Sequence, residues 1–184
     1  MNMIKAAKPL HWLKIYKLYR SAFPRSERKP FSMIRKMSRK GKTDVWYCSD
    51  NGEFIGLAIT INGPDRILLD YFAIDDKHRS GGYGSRILQM LAERYSPMTL
   101  FGEIENVVDP GEDLELRKRR KAFYLRNGLK EMKVMVYLFG VKMELLTTGE
   151  SMTFEEYRNF YRDNYNQWAA DHIEPAEYPA GDGQ

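Results

Sequence analysis

The sequence predicts a single-domain α/β (α+β) fold in which a mixed, mostly antiparallel sheet carries helices on both faces. Three pairs of apolar runs have the spacing of hairpins, and one strand–loop–helix–strand unit lies between residues 67 and 105. A doubly wound parallel sheet would instead need strands that alternate with helices throughout the chain. With 184 residues, of which 43% are hydrophobic, the chain is long enough to bury one core.

The first part of the chain is predicted to hold two helices before a hairpin. Apolar residues recur at helical spacing in two segments before Gly41, and Pro24 ends the first of them. Two runs rich in branched and aromatic residues then flank Asn51-Gly52, which is a hairpin signal. The predicted elements here are a strand at 3–6, helices at 10–23 and 31–41, and strands at 44–49 and 54–61.

The remaining chain is predicted to close with a final hairpin and a C-terminal helix. Gly140 separates the last two strands, and Thr153 is a suitable N-cap, followed by acidic residues in the first turn. The predicted elements here are strands at 67–74 and 98–105, helices at 85–95 and 113–126, strands at 133–139 and 142–146, and a helix at 154–161. We therefore expect a domain over residues 1–165 and a polar C-terminal tail over 166–184.

The most informative motif is the run Arg-Ser-Gly-Gly-Tyr-Gly-Ser at 79–85, which joins the strand 67–74 to a helix. The first N–H groups of a helix lack internal partners and carry partial positive charge, so glycines there let an anion approach closely. Arg79 can add a forked contact to phosphate oxygens. The run therefore fits a pyrophosphate cradle, and it equally fits an ordinary glycine-rich turn. It lacks the Gly-Lys-Ser/Thr ending of a P-loop, and Ile87 breaks the dinucleotide fingerprint.

Two blocks together carry a family resemblance. The first run fits Arg-x-x-Gly-x-Gly, with Arg79, Gly82 and Gly84 in register, and it resembles the acyl-coenzyme A (acyl-CoA) loop of the GNAT superfamily of N-acetyltransferases. The second, Phe-Tyr-Leu-Arg-Asn-Gly-Leu at 123–129, is similar to the Phe-Tyr-x-x-x-Gly-Phe ending of that family's penultimate helix, with Leu129 replacing the phenylalanine. The blocks occur in the family's order, and the resemblance covers residues 46 to 146.

The resemblance implies acetyl-CoA as acyl donor. The spacing of the histidines and the single cysteine indicate no metal site. The resemblance also implies that two neighbouring parallel strands, ending near Ile74 and Glu105, splay apart to admit the cofactor, whose pantetheine lies along the first strand. The cofactor-binding residues that it implies are Phe72, Ala73, Ile74, Arg79, Ser80, Gly81, Gly82, Tyr83, Gly84 and Ser85.

Acetyl transfer needs a base for the amine and a proton donor for the leaving thiolate. By resemblance, Tyr124 is the catalytic acid, although it could also be a packed aromatic residue. Glu103 and Glu105 project from one face of a strand, where mutual repulsion would raise the pKa of at least one carboxyl group. We assign Glu105 as catalytic base and Glu103 to the substrate, with a solvated strand edge or pairing with Arg or Lys as the alternative.

Further polar residues complete the predicted site. Glu27 and Arg28, between the first two helices, lie where the family builds substrate specificity, so we assign them to an ammonium and a carboxylate of the substrate; a charged surface turn is the alternative. The family's asparagine seven residues before the tyrosine is Arg117 here. It begins a basic run, 117–121, that either contacts the 3′-phosphate of coenzyme A or forms a solvated helix face paired with acidic residues.

The predicted function is acyl-CoA-dependent N-acetyltransfer to a primary amine, of a small molecule, by direct attack in a ternary complex. The alternative is a catalytically weak acyl-CoA sensor or scaffold of the same fold, and a nucleic-acid binder that uses the basic helix is a third. The single cysteine, Cys48, excludes an internal disulfide and predicts a small core residue. We expect a cytoplasmic protein that binds neither membrane nor nucleic acid; homodimer formation stays open.

Overall fold

The computed structural model describes residues 1–179, which fall into two compact units, Met1–Met98 and a second that begins at Thr99. Each unit contains four strands, and the strand pairs within both units are antiparallel. Six α-helices accompany them within residues 1–179. The predicted mixed α/β class with mostly antiparallel pairing is therefore confirmed. None of the helices in the described part of the chain is long and apolar enough to cross a membrane.

The first unit is a four-stranded meander with two helices before its second strand and one after its last. Short 3-10 turns, Arg25–Glu27 and Asp76–His78, lie in the connections that precede the second and the third helix. The strands pair in chain order: β1 (Asn2–Lys5), β2 (Thr43–Asp50), β3 (Glu53–Asn62) and β4 (Arg66–Ile74). The helices are α1 (Pro9–Ala22), α2 (Phe31–Arg39) and α3 (Tyr83–Tyr95).

The alternation of β2 explains why helices cover both faces of this sheet. Val45 and Tyr47 belong to the apolar cluster formed with α1 and α2, whereas Trp46, between them, packs edge-on against Tyr95 of α3. The Trp46 indole donates a hydrogen bond of 3.0 Å to the Tyr95 hydroxyl, which in turn donates to Asp44 at 2.9 Å. The buried polar atoms of the α3 face are thus satisfied, as buried hydrogen-bonding groups require.

The second unit holds β5 next to β7, then β6, then β8. Phe139 and Gly140 connect β6 to β7, and both have positive φ, +51° and +82°, as a two-residue hairpin of this kind requires. The strands are β5 (Thr99–Glu105), β6 (Lys130–Leu138), β7 (Val141–Thr147) and β8 (Ile173–Ala176). The helices are α4 (Leu114–Arg126), α5 (Phe154–Asn164) and α6 (Gln167–Asp171).

The C-terminal segment differs from the predicted polar tail over residues 166–184. Asn166 caps α6 by accepting a hydrogen bond from the Ala169 N–H at 2.8 Å, and β8 pairs with β6. Buried Ala170 and Ile173 give this short segment an apolar side, which is why it folds onto the unit. Trp168, by contrast, is 62% exposed. Residues 180–184 of the predicted tail lie outside the described residues.

Candidate active site

The connection between β4 and α3 is a glycine-rich loop that leaves backbone N–H donors at the N-terminus of α3. Gly82, with φ +75°, is the N-cap of α3 and supplies no side-chain cap. The first hydrogen bond within the helix runs from the Arg86 N–H to the Gly82 carbonyl at 3.2 Å. The N–H groups of residues 83–85 therefore have no helical partner and can donate to an anion. The helix begins two residues earlier than predicted, so the whole glycine run belongs to its N-terminus.

The two central glycines of this loop serve different purposes. A Cβ at Gly81 would lie 3.1 Å from the Tyr83 ring, which is tighter than ordinary packing. At Gly82 a Cβ would meet nothing within 4 Å, but the positive φ disfavours other residues. The space in front of the Gly82 backbone is therefore open, which is what the approach of an anion requires.

Arg79 lies beside these donors and is free to change partners. Its guanidinium is 2.7 Å from the Asp76 carboxylate, and their side chains are 63% and 80% exposed. Such a surface ion pair contributes about 0–1 kcal/mol. A phosphate that accepts two hydrogen bonds from Arg79 can therefore replace Asp76 at little cost.

The strand that leads into the loop is fastened to the connection between α1 and α2. The Tyr71 hydroxyl donates to the Glu27 carbonyl at 2.8 Å and accepts from the Lys29 N–H at 3.1 Å. Burial raises the pKa of Tyr71 far above its usual value, so this hydroxyl stays protonated. These bonds fix the main chain of residues 27–29 against β4, together with the Tyr19 hydroxyl, which donates to the Lys29 carbonyl at 3.0 Å.

The predicted substrate residues Glu27 and Arg28 lie on this connection. The side chain of Glu27 is exposed, while that of Arg28 is half-buried and donates to the Arg20 carbonyl at 3.3 Å. Their assignment to the substrate stays a prediction. The sequence analysis missed Asp70 of β4, whose carboxylate is 2.6 Å from the Lys29 ammonium. A lone carboxylate inside an apolar strand was the available signal, because unpaired buried carboxylates are rare.

In the second unit, Tyr124 projects from α4 onto a small apolar cluster. Its ring packs against Ile104, Leu129 and Leu146. Burial raises the pKa of Tyr124 to about 12, although Arg120 acts in the opposite direction. Its hydroxyl forms no hydrogen bond within residues 1–179. Tyr124 is thus packed in the way that the alternative interpretation expects, yet it keeps an uncommitted proton.

Glu103 and Glu105 are bound by different helices. The Glu103 carboxylate accepts hydrogen bonds from the hydroxyls of Tyr157 and Tyr161 of α5, at 2.7 and 2.8 Å. Glu105, at the end of β5, lies 3.4 Å from the guanidinium of Arg120 of α4. The pair Glu105–Arg120 is the pairing with a basic residue that the alternative interpretation expects, whereas the tyrosine partners of Glu103 were not predicted. The assigned roles of both carboxylates stay predictions.

The basic run 117–121 combines residues that face the inside of the unit with exposed ones. Arg117 is buried and donates to the carbonyls of Asn106 and Asp109, at 2.6 and 3.1 Å, and to the Asp113 carboxylate at 3.1 Å. Lys121 lies 2.5 Å from the buried Glu144 carboxylate. Arg117 and Lys121 therefore stabilise the unit from inside. The expected pairing with an acidic neighbour is found for Lys118, which lies 2.9 Å from Glu115.

The comparisons with known proteins agree on one family. Residues 12–109 match the model of the acetyltransferase (GNAT) family, which is slightly more than half of the chain. A search of the curated proteins finds no match.

Solved structures of the same family share the fold across both units. A protein from Bacteroides thetaiotaomicron, described as a GNAT-family acetyltransferase, is 21% identical and covers 92% of this chain and 99% of its own, with a TM-score of 0.74. An aminoglycoside 6′-N-acetyltransferase complexed with coenzyme A is 16% identical, covers 80% and 96%, and has a TM-score of 0.64. The ribosomal-protein-S18-alanine N-acetyltransferase from Escherichia coli is also 16% identical, covers 83% and 95%, and has a TM-score of 0.61.

Proposed function

Because the chain belongs to the GNAT family of acetyltransferases, we propose that it transfers the acetyl group of acetyl-CoA to the primary amine of a small molecule. The single observation that carries the proposal is the glycine loop, where a helix begins with three unpartnered N–H groups and an open approach over Gly82. A pyrophosphate is the ligand that such a helix N-terminus is suited to bind. The coenzyme A bound to the aminoglycoside acetyltransferase of the same fold is in keeping with this ligand.

Residues of the loop and of β4 are assigned to different parts of acetyl-CoA. The backbone of residues 80–85 would donate to the pyrophosphate, and Arg79 would exchange Asp76 for a phosphate oxygen. Phe72, Ala73 and Ile74 of β4 would lie along the pantetheine. None of these contacts needs a metal, and no group of three or more metal-ligating side chains occurs in the described part of the chain.

The reaction that we assign is direct attack in a ternary complex. The neutral amine attacks the thioester carbonyl carbon, the C–N bond forms, and the C–S bond breaks as the tetrahedral intermediate collapses. The amine loses its proton to Glu105, and Tyr124 donates its proton, or a hydrogen bond, to the departing sulfur. A phenol with a pKa of about 12 holds its proton at neutral pH. Glu103 and the connection that carries Glu27 and Arg28 would contact the acceptor.

Three features favour a small acceptor and an active enzyme over an acyl-CoA sensor. The α1–α2 connection is fastened to β4, so it offers little freedom to receive a folded protein. Two tyrosines of α5 orient Glu103. The Tyr124 hydroxyl is available as a proton donor, which acetyl transfer needs and binding of acyl-CoA alone does not. The fold by itself does not select the acceptor, since the ribosomal-protein-S18-alanine N-acetyltransferase has the same fold.

The test is an assay of the purified full chain with acetyl-CoA and a panel of primary amines, which follows release of free thiol and the acetylated product by mass. We expect thiol release that depends on both the amine and acetyl-CoA. Tight binding of coenzyme A without amine-dependent release across the panel would favour the sensor. No binding of coenzyme A would reject both functions.

A further inference from the structure

The most unusual group outside the residues assigned above is the Asp70 carboxylate. Its side chain is only 5% exposed, and one oxygen, Oδ1, is 2.6 Å from the Lys29 ammonium. The other oxygen, Oδ2, is buried and accepts no hydrogen bond from any described residue. A buried carboxylate oxygen without a donor is costly and rare, so such an atom calls for a ligand or a functional reason.

The backbone of β4 is irregular at this residue. Ile59 of β3 pairs with Tyr71, and the next residue, Thr60, pairs with Leu69. Asp70 is therefore the extra residue of a β-bulge and has no partner across the ladder. Bulges redirect a side chain away from the regular alternation and are frequent next to active sites. The bulge lies four residues before the end of the strand that leads into the cofactor loop.

Lys29 is held by its main chain, and its ammonium contacts the Asp70 carboxylate and lies 5.5 Å from the centroid of the Tyr71 ring. Its N–H and carbonyl are bonded to the hydroxyls of Tyr71 and Tyr19. The ammonium sits on a flexible four-carbon stem, and the side chain is 20% exposed. It can therefore leave Asp70 while the connection stays in place. The group that it presents to Asp70, a primary ammonium, is also the group by which an amine acceptor arrives.

We propose that Asp70 binds the ammonium of the acceptor, and that the Lys29 ammonium fills this position when no acceptor is bound. The proposal rests on the proposed function for the identity of the acceptor, and it narrows the acceptor class to amines that carry a second cationic group, because the amine that attacks must be neutral whereas the ammonium on Asp70 keeps its charge. Oδ2 supplies the second hydrogen bond that an entering ammonium needs, since it is not used by Lys29. Lys29 is then an internal competitor of the substrate.

The test uses 1,5-diaminopentane as the cationic probe and 1,5-pentanediol as its uncharged counterpart, both titrated calorimetrically into the full chain. Asp70→Asn should weaken binding of the diamine about tenfold to a hundredfold, the loss expected for one charge-assisted hydrogen bond. Lys29→Met should strengthen it, because the competitor is gone. Asp65→Asn is the matched control, since Asp65 lies just before the same strand and is 75% exposed. It should behave like the parent.

Two outcomes would overturn the proposal. In the first, the Lys29→Met variant binds the diamine no better than the diol. In the second, Asp70→Asn lowers the melting temperature but leaves the affinity for the diamine at the parent's value. The second result would make Lys29–Asp70 a purely structural ion pair. The double variant Lys29→Met/Asp70→Asn shows whether the two residues are coupled in their effect on the melting temperature, on the affinity for the diamine, or on both.

The same titration separates this proposal from the proposed function. If the parent releases no thiol with any amine but binds the diamine through Asp70, the ammonium site stands and the enzyme assignment fails. If the parent acetylates amines and Asp70→Asn keeps the parent's KM for a cationic amine, the enzyme assignment stands and the ammonium site fails.

Discussion

A phenol can act as a proton donor only while it keeps its proton, and Tyr124 keeps it across the physiological range because burial raises its pKa to about 12. A phenol, with a reference pKa of about 10, is already a weaker acid than a thiol, whose reference pKa is about 8.5, and burial widens the difference. Complete proton transfer to the departing sulfur is therefore uphill, and the charge that builds up as the C–S bond breaks strengthens the hydrogen bond from Tyr124. Tyr124 thus acts as a hydrogen-bond donor.

Replacing Tyr124 with phenylalanine keeps the ring in its apolar cluster and removes only the donor. We expect turnover to fall by roughly a hundredfold, with the affinity for coenzyme A within a factor of two of the parent. Steady-state kinetics and calorimetry measure the two quantities. Tyr137→Phe, at an exposed position of β6, is the control and should match the parent. Equal turnover in both variants would return Tyr124 to a packing role.

At the scale of residues, the sequence predicted whether a side chain is buried better than it predicted which side chains contact each other. Cys48 was expected in the core, and it is fully buried, with burial raising the pKa of its thiol to about 12. The pairs Lys29–Asp70 and Tyr157–Glu103 join residues that are 41 and 54 positions apart. No local pattern encodes such contacts, because they depend on which helix packs against which strand.

At the scale of secondary-structure elements, the first prediction concerns the loop between β4 and α3 and its binding of coenzyme A. An aspartate at Gly82, the N-cap of α3, would place a carboxylate on the N–H groups that we assign to the pyrophosphate. Gly82→Asp should therefore weaken coenzyme A binding at least tenfold, and more than Arg79→Ala does. Calorimetry with coenzyme A measures both.

Gly41 provides a matched control for this substitution. It has nearly the same φ, +72°, and the same open surroundings, but it lies at the end of α2. Gly41→Asp should carry a similar backbone strain, of about 1–2 kcal/mol, and leave the affinity for coenzyme A unchanged. If both aspartate variants bind coenzyme A like the parent, the glycine loop is not the pyrophosphate site.

A second element-scale prediction concerns the connection between β5 and α4. Arg117 holds it from inside, and Gly111 leaves room for the guanidinium, since a Cβ there would lie 2.6 Å from Nη2. Arg117→Met keeps the volume and leaves two carbonyls without donors, so the free energy of unfolding should fall by about 3 kcal/mol in urea denaturation. The exposed Arg119 is the control; its replacement by Met should change stability by less than about 0.5 kcal/mol. Similar stabilities of the two variants would contradict the role of Arg117.

Elements with strong periodicity were predicted, and so was the short strand β1, but the short elements α6 and β8 were not. The capping box at the start of α5 matches the predicted N-cap, with Thr153 accepting from the Glu156 N–H at 3.2 Å. The five-residue α6 and four-residue β8 were assigned to the tail. Segments this short carry too few apolar positions to show a period, and they fold because a neighbouring strand and helix provide the contacts.

Across the whole molecule, charge is divided unevenly between the two units. Residues 1–98 contain 18 Lys and Arg against nine Asp and Glu, whereas residues 99–184 contain 11 against 16. The modest net charge of +4 thus combines a strongly basic unit with an acidic one. The basic unit is the one that carries the glycine loop, which favours the approach of an anionic cofactor.

Salt should therefore weaken the binding of coenzyme A. Between 50 and 500 mM sodium chloride we expect the affinity to fall at least severalfold, because screening shortens the reach of the basic unit's field to a few ångströms. Pantetheine lacks the phosphates and should bind with little dependence on salt, which calorimetry of both ligands can measure. Equal salt dependence of the two ligands would show that the field plays no part.

The fold class was predictable at this scale because two motifs in the right order identify a family, and a family fixes the order of its strands. The division into an acidic and a basic unit could be counted from the sequence once the boundary at Thr99 was known. The acceptor could not be predicted, since the residues that we assign to it combine exposed side chains on a connection, where neither periodicity nor packing constrains the residue type, with strand carboxylates whose partners lie far away in the sequence.

The contrast between Trp46, buried at 3% exposure, and Trp168, exposed at 62%, has a spectroscopic consequence. An indole held in an apolar core emits at shorter wavelength and is shielded from dissolved quenchers, whereas one in water emits to the red and is quenched readily. The first unit thus carries the buried Trp46 and the half-buried Trp12, and the second unit carries the exposed Trp168. Replacing Trp12 with phenylalanine would leave one buried indole in the first unit and one exposed indole in the second. The order in which the two units lose structure could then be followed by the wavelength of the emission, without attaching a dye.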